Sequence, residues 1–236
     1  MRSWIHDYGN LWQPTMCGLH AQGIAVQMGG AAVRECELRQ ALWADRIDDA
    51  AGAECLQLLG AGRWRGDATL HAHSERVARL ASQLGRRIGL ASRELTSLQS
   101  AALLHDCGKL ALDPAVLGKP GALDGCEWKH IKQHPHCGTR LLQRFPFLAD
   151  ALAGVRHHHE RWDGTGYGEG LRGEAIPLAA RIIALCDAFD ALTHARPYDV
   201  AQSRTSALAR LREGQGTHFD PALCGEFVGM VTRVAH

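Results

Sequence analysis

The sequence predicts an all-α fold, and three observations carry that expectation. Apolar residues recur at three- and four-residue spacing from about Asp67 to the C-terminus. No stretch of useful length alternates with period two. Start and stop signals for helices fall at the joints of the periodic segments, as at Gly108, the Asp124–Glu127 pair and Pro177.

In chain order, residues 1–32 are weakly periodic and end in Gly29–Gly30. Residues 33–59 read as a proline-free helix carrying Val33, Leu38, Leu42, Ile47 and Leu59. We take 1–59 as an N-terminal segment of unassigned role and 60–236 as the main domain. The 33–59 helix can serve as a signalling linker, as a homodimer seam or as packing for that domain, and it keeps no clean heptad. The first regular helix carries Leu70, Val77, Leu80, Ala81, Leu84 and Ile88. The second starts at Ser92, has Glu94 in its first turn, runs through Leu95, Leu98 and Ala102, and should stop at Gly108. Asp124 and Glu127 have capping-box spacing for a helix through Leu142, interrupted at Pro135. A short helix over roughly 147–159 ends in three histidines and runs into the glycine-rich loop 163–168. Pro177 suits the first position of a helix through Leu192, and helices over roughly 202–213 and 220–234 complete the chain.

Composition narrows the function. Apolar residues are 46% and charged residues 22% of 236, an ordinary globular balance. No apolar run is long enough to span a membrane, and Trp4, His6 and Asp7 stand where an export signal needs an apolar core, so a cytoplasmic protein is expected. With 26 Lys plus Arg against 25 Asp plus Glu, there is no basic field to hold a nucleic-acid backbone. The 8 cysteines contain no CxxC pair and read as buried small apolar residues. The 14 histidines are the unusual feature, and they cluster between 71 and 159.

Several of these histidines interrupt apolar stripes. His73 lies between Leu70 and Val77, His105 continues the Leu95–Leu98–Ala102 stripe with Asp106 beside it, and His134 follows Ile131 at three residues. Asp187 follows Ile183 at four, inside the apolar run 182–189, and His158–His159 add a pair. A lone core histidine is usually a structural residue bonded to backbone, but four interrupted stripes are improbable as independent accidents. They converge if the helices pack around one polar centre. Five imidazoles and two carboxylates favour iron or manganese, and an aspartate bridging two ions seats the most donors. Two such ions can share a hydroxide nucleophile and neutralise a phosphoryl group, which is hydrolytic chemistry.

Five segments then carry a family resemblance: HSERVARLA (73–81), AALLHDCGKL (101–110), KQHPHCG (132–138), HHERWDGTGYG (158–168) and IPLAARIIALCDAFDALTHARPY (176–198). In this order, across about three quarters of the chain, they resemble the HD-GYP domain of the HD superfamily of metal-dependent phosphohydrolases. The resemblance implies an HD-type helical bundle around a dinuclear, usually di-iron, centre and hydrolysis of cyclic di-GMP to pGpG or GMP. It implies that His73, His105, Asp106 and Asp187 hold one ion, with Asp106 bridging to a second held by His134, His158 and His159. Lys109 would face the substrate phosphate and Arg196 would contact phosphate or guanine, while Gly166 and Tyr167 would line the pocket. Asp190 and Asp163 are expected behind the ligands, each orienting a histidine, or in the case of Asp163 capping the loop. GGDEF-type cyclases are the partners the family suggests.

Thr69 stands where many members carry a glutamate that supports a third metal, so two ions are expected. Gly168 replaces the proline of GYP, and Asp199 follows the RPY segment where a basic residue is frequent. Two other functions therefore compete: the same chemistry on another nucleotide, and a non-catalytic sensor that keeps the fold. His157, His71 and His136 are expected to be structural or solvent-facing, and His218 and Asp220 to serve packing.

Overall fold

Ala68–Arg87 (α1) and Ser92–Leu104 (α2) form a helical hairpin in the computed structural model, which describes residues 68–119, 121–194 and 201–233, without the side chains of residues 68–70 and 114. The segment 1–59, its boundary with the main domain, Cys17, Cys36, Cys55, Arg196, Asp199 and the side chain of Thr69 lie outside the described residues. Gly89 turns the hairpin at φ +81°, a conformation that suits glycine. Ala91 N–H is held by Glu94 Oε2 at 2.8 Å, which opens α2. Val77, Ala78, Ala81 and Leu84 form the buried stripe of α1, and Leu98, Ala101 and Ala102 that of α2. Fully buried Leu84 contributes about 1.5–3 kcal/mol through removal of its surface from water.

Leu178–Thr193 (α7) is the central element. Eleven of its residues are buried, from Ala180 to Leu192, so it is apolar nearly all round. It touches α1, α2, Leu152–His157 (α6), Arg204–Glu213 (α8) and Pro221–Arg233 (α9). Pro177 is the N-cap residue, with ψ 137°, one place before the first helical position expected of it.

Between α2 and α6 the chain is more broken than its periodicity suggests. The α-helix ends at Leu104, not at Gly108; Asp106 leaves helical geometry at φ −96°, ψ 3°, and Cys107–Ala111 is a 3-10 turn. Gly108 is not in a left-handed conformation. It is glycine because a Cβ there would lie 1.8 Å from the His134 carbonyl oxygen and 2.4 Å from Gly138 N. Pro114–Leu117 (α3) is a single turn that periodicity did not indicate. Gly125–Ile131 (α4) begins at the expected capping box, with Asp124 accepting from Cys126 and Glu127. His134–Leu142 (α5) starts with Pro135 in its first turn, so the interruption falls at 132–133. The expected helix over 147–159 is a 3-10 segment, Pro146–Ala151, followed by α6.

Among the described residues there is no strand, only a bridge between Gln215 and Phe219, and no helix is long and apolar enough to cross a membrane. Cys107, Cys137, Cys186 and Cys224 are buried as expected, whereas Cys126 is exposed in the first turn of α4 and corrects that expectation. Asp220 caps α9 and pairs with Arg181 at 2.7 Å.

His218 stacks on Phe219, and burial together with nearby Arg161 pushes its pKa down to about 3. Its neutral form is therefore built into the fold. Between pH 6.5 and 3 the unfolded chain binds the proton and the folded chain does not, so stability falls as the pH drops. The slope approaches about 1.4 kcal/mol per pH unit, and a His218→Gln variant should lose that part of the pH dependence in thermal melts from pH 7 to 5.

Candidate metal centre

The local architecture delivers five imidazoles and two carboxylates to one buried point. His73 comes from α1, His105 and Asp106 from just past the end of α2, His134 from the start of α5, His158 and His159 from just past the end of α6, and Asp187 from the middle of α7. His73, His105, Asp106, His134, His158 and Asp187 are all under 9% exposed. Two groups of donors form, each with its ligand-type atoms within 4.8 Å of one another. One is Asp106, His134, His158 and His159; the other is His73, His105 and Asp106. Asp106 belongs to both. Asp187 joins the second through its Oδ1, 3.2 Å from His73 Nε2.

The ring nitrogens show what the cluster is built to hold. His105, His134 and His158 each place Nδ1 2.8 Å from the carbonyl three residues back, on Ala102, Ile131 and Val155. A carbonyl only accepts, so each Nδ1 carries the proton and each Nε2 presents a lone pair inward. His134 Nε2 and His158 Nε2 then face each other at 3.3 Å with no proton between them. His105 Nε2, Asp106 Oδ1 and Asp187 Oδ1 are buried with no hydrogen bond among the described residues. Converging lone pairs with buried, unsatisfied acceptors are unfavourable alone and are resolved by cations. The donor set therefore fits divalent metal ions.

Electrostatics agree. Burial opposes ionisation of Asp106, but Lys109 and His105 outweigh it and hold the carboxyl well below its usual range. Burial also opposes the charge on Asp187, but His73, 3.2 Å away, outweighs it, so its pKa is lowered. Burial, reinforced by neighbouring histidines, keeps His158 and His159 neutral well below the ordinary imidazole pKa; burial likewise lowers His134. Deprotonated carboxylates and neutral imidazoles are the forms that bind metals. His105 differs: burial lowers its pKa, but Asp106 raises it further, leaving a net increase.

Asp190 stands behind this layer. It accepts from His73 Nδ1 at 2.7 Å and from Arg76 at 2.6 and 2.9 Å, fixing the ring so that Nε2 faces inward. Asp190→Asn should weaken metal binding about 10–100-fold, measured by competition with a chelator, while leaving the helical spectrum unchanged. Arg76 escaped the sequence reading, although its place three residues after His73 puts both on one helix face.

Lys109, Asp163, Gly166 and Tyr167 belong to neither donor group. Lys109 is 4% exposed and donates to Asp106 Oδ2 at 2.6 Å, against a carboxylate rather than at an open face. Asp163 orients no ligand histidine. It accepts from Thr165 N–H and hydroxyl and from Arg161, closing its own loop, and its pKa drops to about 2 because those bonds outweigh burial. Gly166 is packed against backbone: a Cβ there would lie 2.4 Å from Arg161 N and 2.6 Å from His159 O. Tyr167 stacks on His159, with ring centroids 4.5 Å apart. His157 lies 3.7 Å from Glu160 Oε1 and outside both donor groups. His71 pairs with Glu75, and His136 is exposed against Arg156.

Glu160 is a further residue the sequence reading missed. It is 2% exposed and accepts from Glu169 N–H, pinning the loop beside Gly168. Gly168 has φ +140°, out of reach for proline at about −65°, and a Cβ there would lie 2.6 Å from Glu160 Oε1. The loop therefore follows a path that proline at this position could not take. Gly168→Pro should lower thermal stability and release the Glu160–Glu169 contact, read as faster amide exchange at Glu169.

Comparison with known proteins follows the same lines. Residues 67–223 match the family model described as HD domain. The chain is 45% identical over 159 residues to the cyclic di-GMP phosphodiesterase response regulator RpfG of Xanthomonas campestris pv. campestris, covering 66% of this chain and 42% of that protein. It is 42% identical over 151 residues to the 3′3′-cGAMP-specific phosphodiesterase 3 of Vibrio cholerae, covering 63% and 32%. The chain thus spans less than half the length of these relatives. In structure it is similar to Bd1817, an HDG"Y"P protein of Bdellovibrio bacteriovorus, with a TM-score of 0.57 at 16% identity over 88% of this chain and 75% of the other, a likeness of fold.

Proposed function

Since the chain belongs to the HD domain family, we propose that its buried His/Asp cluster is the dinuclear centre of a phosphodiesterase that opens a cyclic dinucleotide, with cyclic di-GMP as the favoured substrate and pGpG or GMP as product. The observation that carries this reading is Asp106, shared by two groups of donors. His73, His105 and Asp187 would complete one metal position and His134, His158 and His159 the other. Iron is the favoured ion and manganese the second, because the donors are imidazole and carboxylate with no thiolate. When bound, two such ions supply Lewis-acid polarisation of the phosphoryl group and a water acidic enough to act as nucleophile near neutral pH.

The protein's own part is preorganisation. Three backbone carbonyls and Asp190 fix the rings of His105, His134, His158 and His73 before any ligand arrives, so little ordering remains at the moment of reaction. Lys109 keeps Asp106 ionised and adds positive charge beside the place where a phosphate would sit. Tyr167 backs His159 and excludes water from that side. We place the catalytic domain at 60–236 and the reaction in the cytoplasm.

A relative named for 3′3′-cGAMP favours one second reading, the same hydrolysis on a mixed cyclic dinucleotide. The test is a substrate panel with full-length protein purified without oxygen and supplied with Fe(II) or Mn(II), read by chromatography. Turnover of cyclic di-GMP, stopped by chelator and restored by metal, is expected. Faster turnover of 3′3′-cGAMP would move the assignment to that substrate. Turnover of neither, with metal bound, would leave the sensor reading in its place.

A further inference from the structure

The row of rings at the metal cluster continues outward beyond the residues assigned so far. His134 and His159 have centroids 5.0 Å apart, His159 and Tyr167 4.5 Å, and Tyr167 and Trp128 6.4 Å. Trp128 lies on α4 and is only partly buried, as is Tyr167. Lys132, one turn after Trp128 and two residues before His134, sets its ammonium 5.5 Å from the Trp128 centroid and 5.4 Å from that of Tyr167. A partly buried indole and phenol under one cation, beside a metal cluster, have the makings of a stacking platform with a charged edge.

We propose that Trp128 and Lys132, together with Tyr167, form a nucleobase subsite on the α4 side of the metal centre, with Trp128 as the stacking surface and Lys132 as the donor to the base edge. The inference rests on the phosphodiesterase reading and names how that site would recognise a nucleotide. Its chemistry selects purines, which offer the larger stacking face. Lys132 further selects guanine, which turns two acceptors, O6 and N7, along one edge, where adenine pairs an acceptor with an amino donor. The platform lies next to His159, so a base stacked there keeps its phosphate on the metal side.

The test uses binding, so that it stands apart from turnover. Full-length Mn(II)-loaded protein is titrated by calorimetry with GMP, AMP and ribose 5-phosphate, the last carrying phosphate without a base. The parent should bind GMP more tightly than AMP, and both more tightly than ribose 5-phosphate. Trp128→Ala should weaken GMP about tenfold and leave ribose 5-phosphate unchanged, while Trp128→Phe should keep most of the GMP affinity. Lys132→Ala should narrow the gap between GMP and AMP. Equal losses for GMP and ribose 5-phosphate in Trp128→Ala would show a structural role only and overturn the subsite. So would unchanged GMP binding, or a parent that does not distinguish GMP from ribose 5-phosphate. Failure of the phosphodiesterase reading shows separately, as absent cyclic dinucleotide turnover in a parent that still prefers GMP.

Discussion

On the proposed hydrolase function, Asp106→Ala will lower phosphodiester turnover by at least about 10³-fold and prevent the cluster from holding metal. The size of the effect follows from position. Asp106 has no exposure, lies in both donor groups, and contacts His134 Nε2 at 3.2 Å and His105 Nε2 at 3.4 Å through its two oxygens. No other residue touches both halves of the cluster in this way among the described residues. Alanine also removes the 2.6 Å carboxylate partner of buried Lys109, which destabilises the fold in its own right. Asp106→Asn separates the two effects: it keeps the volume and one oxygen acceptor but loses the charge, so it should fold and still fail to hold two ions. His157→Ala is the control, because His157 lies outside both groups, and it should retain activity.

Gly108→Ala will destabilise the fold by at least about 3 kcal/mol, in urea or thermal melts, although it adds one methyl group. That methyl would overlap the carbonyl of His134 at 1.8 Å, its carbonyl carbon at 2.8 Å and Gly138 N at 2.4 Å. All three are backbone atoms of α5, at His134 and Gly138, so no side chain can swing aside. Relief requires α5 to retreat from the 3-10 turn, which carries His134 away from Asp106. Weaker metal binding should therefore accompany the lost stability. Gly125→Ala, with open space around the new methyl, should change stability by less than about 1 kcal/mol.

These two positions show how unevenly the sequence discloses the protein. Asp106 was legible because a carboxylate and a histidine on an apolar stripe contradict the local pattern, and because His73, His134 and Asp187 contradict theirs at the same spacing. The helices were legible for the complementary reason: periodicity and caps are local, so the Asp124–Glu127 box and the apolar run of α7 forecast their elements closely. Gly108 was read as a helix stop, since a glycine after an apolar stripe usually is one. Its true constraint is contact with a chain segment 26 residues away, which no local pattern records. Gly166 is likewise held by backbone contacts that its own position in the loop does not announce, whereas Asp163, satisfied by Thr165 and Arg161, takes the loop-capping role that was one of its two expected ones. The hydrogen-bonded supports were half visible. Asp190 was expected behind the ligands, one helical turn beyond Asp187, whereas Arg76 looked like any surface arginine.

The most direct measurement is the metal content of the chain, purified without oxygen and reconstituted with Fe(II) or Mn(II), by elemental analysis of the parent, His73→Ala and His159→Ala. Two clusters joined at Asp106 predict two ions per chain in the parent and about one in either single variant, each lost from its own side. A parent that saturates at one ion, or variants that still hold two, would contradict the shared-carboxylate centre on which the hydrolase assignment stands.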